Sequence, residues 1–563
     1  MRRCRGKEKA IRYSEYQVSP YNMGASMNRK SVHGRMGARR GLTTRRQFLG
    51  GAAALGLAAG TGLIPQFSRP TWAQQPVQGG RLRQAVNVGG TGDTLDPAKS
   101  GTTIDGSRLN GLYDQLTRYD ENNNPVPHLA KEWSGSPDGK TWTFVLQDKA
   151  TWHDGRPVTA EDVVFTFKRN IDPNVGATAR NTLAPLVGGD VVAVDAKTVR
   201  FDLPNAYVDW PAVCGSLWTH IVPSTFDPAT ANTAPIGSGP FKFESFQPGR
   251  ASRFVRNESW WNTGYPYFDE YEVLDIFDDS ARDNALIGGQ IDFSFGVPLS
   301  SVDLLKSSGM NVMELNSSTL VSIALVEDMP PFKDNPKLRQ AFAWALDRQA
   351  IADIVYRGFA KPGNDHPLPH QTYAAGPTDS DIPQRTQDID KAKQLLAEAG
   401  YPDGIDLVLH TADAGYAMAD LAVVVAEQAK PAGFRIEVKK WPSNTYWSEV
   451  WLKENFYTSY WSADPTADLI VSKTLVSTSQ ENESHFRNSD FDALIAKART
   501  IADMDERRTL YAKAMQMTHD SASWVIPVFV NIAHGMTPAL NFQVPPPPSG
   551  NSISVFWGAW KSA

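Results

Sequence analysis

Apolar and polar positions in residues 112–170 lay out a small αβ module. In residues 141–146, Trp142, Phe144 and Leu146 recur at every second position, the period of a strand with one buried face. Asp138-Gly139 supplies the turn that enters it. After a tight turn at Trp152-His153-Asp154-Gly155, Thr159 is placed to cap a helix. Glu161 and Asp162 suit its first turn, and Val163, Val164 and Phe167 its inner face.

The same reading extends along the chain. Residues 80–88 predict a strand that leaves through Leu95-Asp96-Pro97, and residues 191–204 two short strands joined at Asp195-Ala196-Lys197. Residues 241–254 predict a hairpin turned at Pro248-Gly249, entered through Gly237-Ser238-Gly239. With neither a Walker lysine nor a following helix, that glycine pair reads as a tight turn and not a phosphate loop. Residues 271–277, 280–287 and 290–295 form a β-α-β unit, with Gly288-Gly289 closing the helix. Strands follow around residues 312–326. Helices then start at Asn335-Pro336 and Asp347, and a third covers residues 391–399. Residues 405–410, 416–430 and 434–439 give a second α/β core. Helices near 490–500 and 505–520 precede a strand at 524–530, which is expected to return the chain to its first half. No internal repeat is present.

Several of these residues carry a resemblance. His128-Leu129-Ala130, Asp138-Gly139-Lys140-Thr141-Trp142-Thr143-Phe144 and Trp152-His153-Asp154-Gly155-Arg156-Pro157-Val158-Thr159-Ala160-Glu161-Asp162-Val163 stand in the order found in family 5 extracellular solute-binding proteins. Leu95-Asp96-Pro97 near the start and Gly289-Gln290-Ile291-Asp292 further on resemble the same family, so the likeness spans essentially the whole chain after the leader. These are receptors of dipeptide, oligopeptide and nickel ABC importers. The resemblance implies an α/β, two-lobed periplasmic binding protein of type II, with the extra subdomain of peptide-binding relatives and lobes joined by a hinge of crossing strands. On that frame residues 1–73 are a basic prelude and twin-arginine export signal. Residues 79–320 with 527–563 form lobe I, with an inserted subdomain at about 112–233, and residues 321–526 form lobe II.

Charge and composition narrow the function. The 563 residues are 41% hydrophobic, enough for more than one core. Residues 1–73 carry 14 Lys or Arg against 2 acidic residues, which leaves −17 on the rest of a chain whose total is −5. So acidic a body is a poor partner for nucleic acid. Thr44-Arg45-Arg46-Gln47-Phe48-Leu49, followed by a Gly- and Ala-rich run, resembles a twin-arginine export signal. That run is too short and too weakly apolar for a membrane anchor. Thr71-Trp72-Ala73 resembles a cleavage site, with a mature start near Gln74 and no cysteine there for a lipid anchor. Residues 1–35 are expected to be disordered, with Met23, Met27 and Met36 as alternative starts. Of the two cysteines, Cys4 lies in this leader and Cys214, among apolar residues, is expected to be a buried structural thiol.

Candidate chemistry concentrates in residues 441–461, which hold eight aromatics in 21 positions. Trp447 and Trp451 are spaced to share a helix face, and either core or cleft would use them. Tyr460 and Trp461 are the favoured wall residues. Asp464 follows, in Trp461-Ser462-Ala463-Asp464, a pattern that resembles the place where peptide receptors of the family hold the ligand's ammonium. Its other reading is a turn made with Pro465. Ala467-Asp468 stands where many relatives have Asp-Pro. On the opposite lobe the resemblance implies a ligand loop at Ser100, Gly101 and Thr102, which lacks the acidic residue some oligopeptide receptors carry. His366 and His370 sit among prolines in Asn364-Asp365-His366-Pro367-Leu368-Pro369-His370 and read as a solvated loop, not a metal site.

The sequence thus predicts a monomeric periplasmic receptor that captures without chemistry and needs no cofactor or metal. Its expected ligand is a peptide or amino-acid derivative, delivered to an ABC permease in the inner membrane. An opine or oligosaccharide is the alternative, and a nickel complex a weaker one. The expected ligand contacts are Asp464, Trp461, Tyr460, Trp447, Ser100, Gly101 and Thr102. No motif of a hydrolase is present.

Overall fold

A computed structural model describes residues 11–12, 75–370, 372–544, 546–547 and 556–562. The twin-arginine segment, its apolar run and the expected cleavage site lie outside these residues. Of the basic prelude only Ile11–Arg12 is described, paired antiparallel with Ser134 and Gly135. No helix among the described residues is long and apolar enough to cross a membrane.

Three sheets organise the chain. The first has seven strands, in the order Asn311–Leu315, Ile532–Met536, Phe293–Ser294, Arg81–Val86, Glu270–Asp275, Ala251–Arg256 and Phe241–Gln247. Glu270–Asp275 and Phe293–Ser294 lie parallel to Arg81–Val86 on its two sides, and helix Asp279–Ile287 connects them. The expected β-α-β unit therefore forms. Asp278 caps its helix by accepting from the Ala281 N–H.

The second sheet has six strands, in the order Ala360–Pro362, Trp524–Val530, Leu320–Leu325, Phe456–Trp461, Ile405–Ala412 and Phe434–Trp441. Leu320–Leu325 and Trp524–Val530 are buried at every position, so they read as continuous apolar runs and not as alternating ones. Ile405–Ala412 and Phe434–Trp441 are parallel, with helix Met418–Ala429 between them in sequence.

The third sheet lies within residues 112–233. Ala130–Gly135, Thr141–Leu146, Thr198–Asp202 and Asp190–Ala193 pair antiparallel in that order. Trp142, Phe144 and Leu146 are buried and their neighbours half-buried, as the alternation predicts. Helix Ala160–Ile171 packs Val163 and Phe167 into the same core, while Val164 is only partly covered. Its Asp162 accepts from the Thr159 N–H at 2.8 Å and from the Trp152 indole at 3.2 Å, tying cap to turn. Cys214 is buried in this core, and burial pushes its thiol pKa well up, as befits a structural thiol.

Gly237 and Gly239 pass directly under the helix that precedes this subdomain. A Cβ on Gly239 would lie 2.7 Å from the Gly111 carbonyl oxygen, and one on Gly237 would overlap the Leu112 carbonyl. Close backbone approach, not a phosphate, explains this glycine pair.

The chain passes from the first sheet to the second between Leu315 and Leu320, and back between Val530 and Ile532. The two passages are bonded to each other, since the Val530 N–H donates to the Thr319 carbonyl at 2.7 Å. Asn531 donates from Nδ2 to Glu314 and from its main chain to the Phe359 carbonyl. The return was expected at residue 527, but Trp524–Val530 pairs with Leu320–Leu325 and Ala360–Pro362 along its length. The whole strand therefore belongs to the second sheet, and the crossing falls at Asn531.

Candidate functional site

A cavity of about 940 Å³ opens where the two large sheets face each other. Asn87 and Val88, just past strand Arg81–Val86, and residues 295–300, just past Phe293–Ser294, form one wall. Tyr356, residues 415–417 and Tyr460 form the other, and residues 530–533 of the crossing strand run between them. Several of these segments follow the carboxyl ends of parallel strands, where open α/β sheets place ligands.

The second wall is built by an unusual backbone. Gly415, Tyr416 and Ala417 have φ of 134°, 46° and 53° in succession. Such values are easy for glycine and uncommon for tyrosine or alanine, and clusters of them mark binding walls. They delay the helix expected from residue 416 until Met418, and leave it with Ala417 as a cap that offers no side chain. The Tyr356 hydroxyl holds the turn by donating to the Tyr416 carbonyl at 2.9 Å.

This turn sets the Tyr416 ring 4.9 Å from that of Tyr460. Trp447 meets Tyr460 edge-on at 5.5 Å, Trp451 follows at 6.3 Å and Trp461 at 6.4 Å beyond it. Five of the eight aromatics of residues 441–461, Tyr446, Trp447, Trp451, Tyr460 and Trp461, therefore form one connected series of rings, partly core and partly wall. Trp447 is 37% exposed, whereas Tyr446, Phe456 and Tyr457 are buried. Tyr460 lines the cavity directly.

Glu483 is buried behind this series. It accepts from the Trp451 indole at 2.6 Å, the Trp524 indole at 3.0 Å, and the hydroxyls of Ser459 and Ser322 at 2.5 and 3.4 Å. Burial raises its pKa despite these donors. The carboxylate thus fixes the indole rings in place.

Asp464 is 8% exposed. Lys473 donates to both its oxygens, at 2.7 and 2.9 Å, and the Tyr373 hydroxyl donates to its carbonyl at 2.8 Å. Burial raises its pKa and Lys473 opposes the rise. The helix after it, Ala467–Thr474, is capped by Thr466. On the other lobe the Ser100 hydroxyl is buried and donates to the Pro97 carbonyl at 3.0 Å. Gly101 is exposed, and Thr102 caps helix Thr103–Leu112, whose Thr103 reaches the cavity.

The structure thus brings Tyr460 to the cavity, with Trp447 against it, while Trp461, Asp464, Ser100, Gly101 and Thr102 are not among the residues that line it. Tyr416, Asn531, Glu483, Lys473 and the residues 295–300 were not expected from sequence. His366 is buried, and Nδ1 of His370 lies 3.0 Å from the Gly376 carbonyl. The segment 364–368 is therefore packed and not solvated, because Asp365 joins Arg348 and Arg385 inside the second lobe. Among the described residues no group of three or more His, Cys, Asp or Glu is placed to hold a metal ion.

Residues 124–483 match the sequence model of the middle region of bacterial extracellular solute-binding proteins, family 5. Heme-binding protein A of Haemophilus influenzae is 29% identical over 75% of this chain and 83% of its own length. Glutathione-binding protein GsiB of Pectobacterium atrosepticum is 24% identical over 81% of this chain and 89% of its own. Among solved structures, HbpA2 of Haemophilus parasuis superposes with a TM-score of 0.76 at 22% identity, covering 86% of this chain and all of that one.

Proposed function

Because the chain belongs to the family 5 bacterial extracellular solute-binding proteins, we propose that it is the receptor of an ABC importer for a peptide or amino-acid derivative. The ligand is captured between two lobes and handed unchanged to an inner-membrane permease. The observation that carries this reading is the 940 Å³ cavity between facing sheet ends, floored by the strand that crosses between them. A cleft spanned by crossing strands can close by small rotations about them, and contacts made only on closure favour the closed form. Likeness to a glutathione-binding relative along most of the chain supports a peptide-like ligand.

In this reading Tyr460, Trp447 and Trp461 supply the aromatic wall and Asp464 its charged group. Gly101 and Thr102 supply the other side in the same reading, on a loop that Ser100 braces and that leads into the cavity-lining Thr103. The aromatic series also favours a second ligand class, an opine or oligosaccharide, whose rings or stems would stack on it. Native mass spectrometry of the protein expressed from Gln74, then denaturation and identification of what is released, decides between them. A released peptide is expected. A released sugar or opine establishes the second class, and a ligand that is turned over shows an enzyme instead. Titrated by calorimetry, the identified ligand should bind Tyr460→Ala more weakly by about 1 to 2 kcal/mol, the worth of one stacked ring and its buried area.

We also assign the chain to the periplasm, as a monomer exported through its twin-arginine segment. Changing Arg45→Lys and Arg46→Lys together should stop export. Undiminished periplasmic protein from that variant would point to a different route.

A further inference from the structure

The subdomain of residues 112–233 is tied to the lobe of the first sheet. Arg169 clasps Asp96 at 2.9 and 2.6 Å, Asp114 accepts from the Trp261 indole at 3.1 Å, and the His153 N–H donates to the Gly237 carbonyl at 2.8 Å. The same subdomain also reaches the lobe of the second sheet, through residues that do not line the ligand cavity. Arg507 donates to both oxygens of Asp209, to one of them at 2.7 Å, and the Val208 N–H donates to the Arg499 carbonyl at 3.0 Å. Leu469, from the other lobe, is packed into the subdomain's apolar core. The ion pair is covered, with side chains 6% and 15% exposed. Asp209 precedes helix Trp210–Val213 without capping it, which leaves its carboxylate to Arg507.

A two-point arginine–carboxylate pair is demanding in geometry as well as strong, so a small displacement of either partner breaks it. Beside the pair the junction is not filled. A hollow of about 700 Å³ lies between Asn181, Pro204 and Tyr207 of the subdomain and Asp468, Lys473 and Arg499 of the other lobe. Interfaces of this polar kind are the ones across which parts of a chain move. We propose that Asp209 and Arg507 form a latch, which holds the cleft closed from a place the ligand does not touch. Rotation about the crossing strands then parts the subdomain from the second sheet's lobe, breaks the pair and draws Leu469 out of its core. Ligand and latch favour the same closed form, so opening is set by the chain's own ion pair as well as by what is bound. The proposal rests on the reading that the two lobes turn about the crossing strands.

The test reads the distance across this hollow in the full chain, without ligand. Cys4→Ser leaves the buried Cys214 as the one native thiol, and spin labels are placed at Asn205→Cys and Gln480→Cys, two exposed positions that line the hollow from opposite sides. Double electron–electron resonance then gives the populations of short and long separations. With the pair intact, the short separation is expected to dominate. Asp209→Asn and Arg507→Gln, which remove the pair from either side, are each expected to lower the short-to-long ratio tenfold or more. Asp209→Arg combined with Arg507→Asp, which exchanges the charges, is expected to recover most of that loss. Long separations alone with the pair intact overturn the proposal without any variant at the latch. Equal ratios in the intact chain and the two single variants overturn it as well. So does a loss that the exchange leaves unrepaired, since the effect then belongs to the backbone around residue 209 and not to the charges. No ligand enters this readout, so the receptor reading stands or falls separately, on what native mass spectrometry finds released.

Discussion

Asp365→Asn should lower the stability of the protein by about 3 to 5 kcal/mol, the cost of stranding a buried partner of a broken ion pair. Asp365 is fully buried. Its carboxylate accepts from Arg348 at 2.9 and 2.7 Å, from Arg385, and from the Ile526 N–H at 3.0 Å. Burial alone would raise its pKa, but Arg348 and then Arg385 outweigh burial and hold it below the usual carboxylate range. Both guanidiniums are themselves covered, with side chains 2% exposed. Removing the charge leaves two cations facing each other out of water. Asparagine keeps the shape and tolerates the φ of 56° at this position, so the loss reads out the charge and not the backbone. Urea unfolding followed by tryptophan fluorescence measures it. A change below about 1 kcal/mol would mean that water or another acid compensates the arginines. Because Ile526 lies on the strand that leads into the crossing at Asn531, the variant should also weaken ligand binding.

This node marks a limit of sequence reading. Asn364-Asp365-His366-Pro367-Leu368-Pro369-His370 has the composition of an exposed loop, and its partners stand 17 and 20 residues away with no periodic relation to it. Regular elements were legible because their signals are local. Thr141–Leu146 alternates, and the helices after Asn335, Asp347 and Asp388 begin where a side-chain oxygen caps the first turn. Trp524–Val530 was legible as a strand but not as to sheet, since a run buried on both faces shows no preferred side. In the site, aromatic density pointed to the wall around Tyr460, and Asp464 was singled out by resemblance. Lys473, nine positions on, left no trace of its pairing. Nor did the left-handed turn at Tyr416 and Ala417, where neither residue type prefers that conformation.

His534 should make the protein acid-sensitive in a way one substitution isolates. It lies on the strand that carries the chain from the crossing into the first sheet, fully buried between Phe293 and Phe295, at ring distances of 5.3 and 4.6 Å. Its Nδ1 accepts from the Gly296 N–H at 3.1 Å, which fixes the neutral tautomer with the proton on Nε2. Burial lowers its pKa to about 3. Above pH 6.5 both folded and unfolded chains hold it neutral. As pH falls from 6.5 toward 3, only the unfolded chain takes up the proton, so stability is lost across that window, by roughly 2.7 kcal/mol at pH 4.5. The whole-protein profile will not show this directly. Burial also raises Asp105 to about 6 and Asp275 to about 7, and those carboxyls bind protons in the folded state, an effect of opposite sign. The difference between wild type and His534→Asn removes them. At pH 7.5 the variant should be less stable, since it loses a packed ring. That gap should close by about 2 to 3 kcal/mol at pH 4.5 in urea titrations. A gap independent of pH would mean that the folded protein accepts the proton. Protonation in the fold would set Nδ1–H against the Gly296 N–H, at the edge of the cavity that Gly296 lines. Acid would then act first on the ligand site and its hinge.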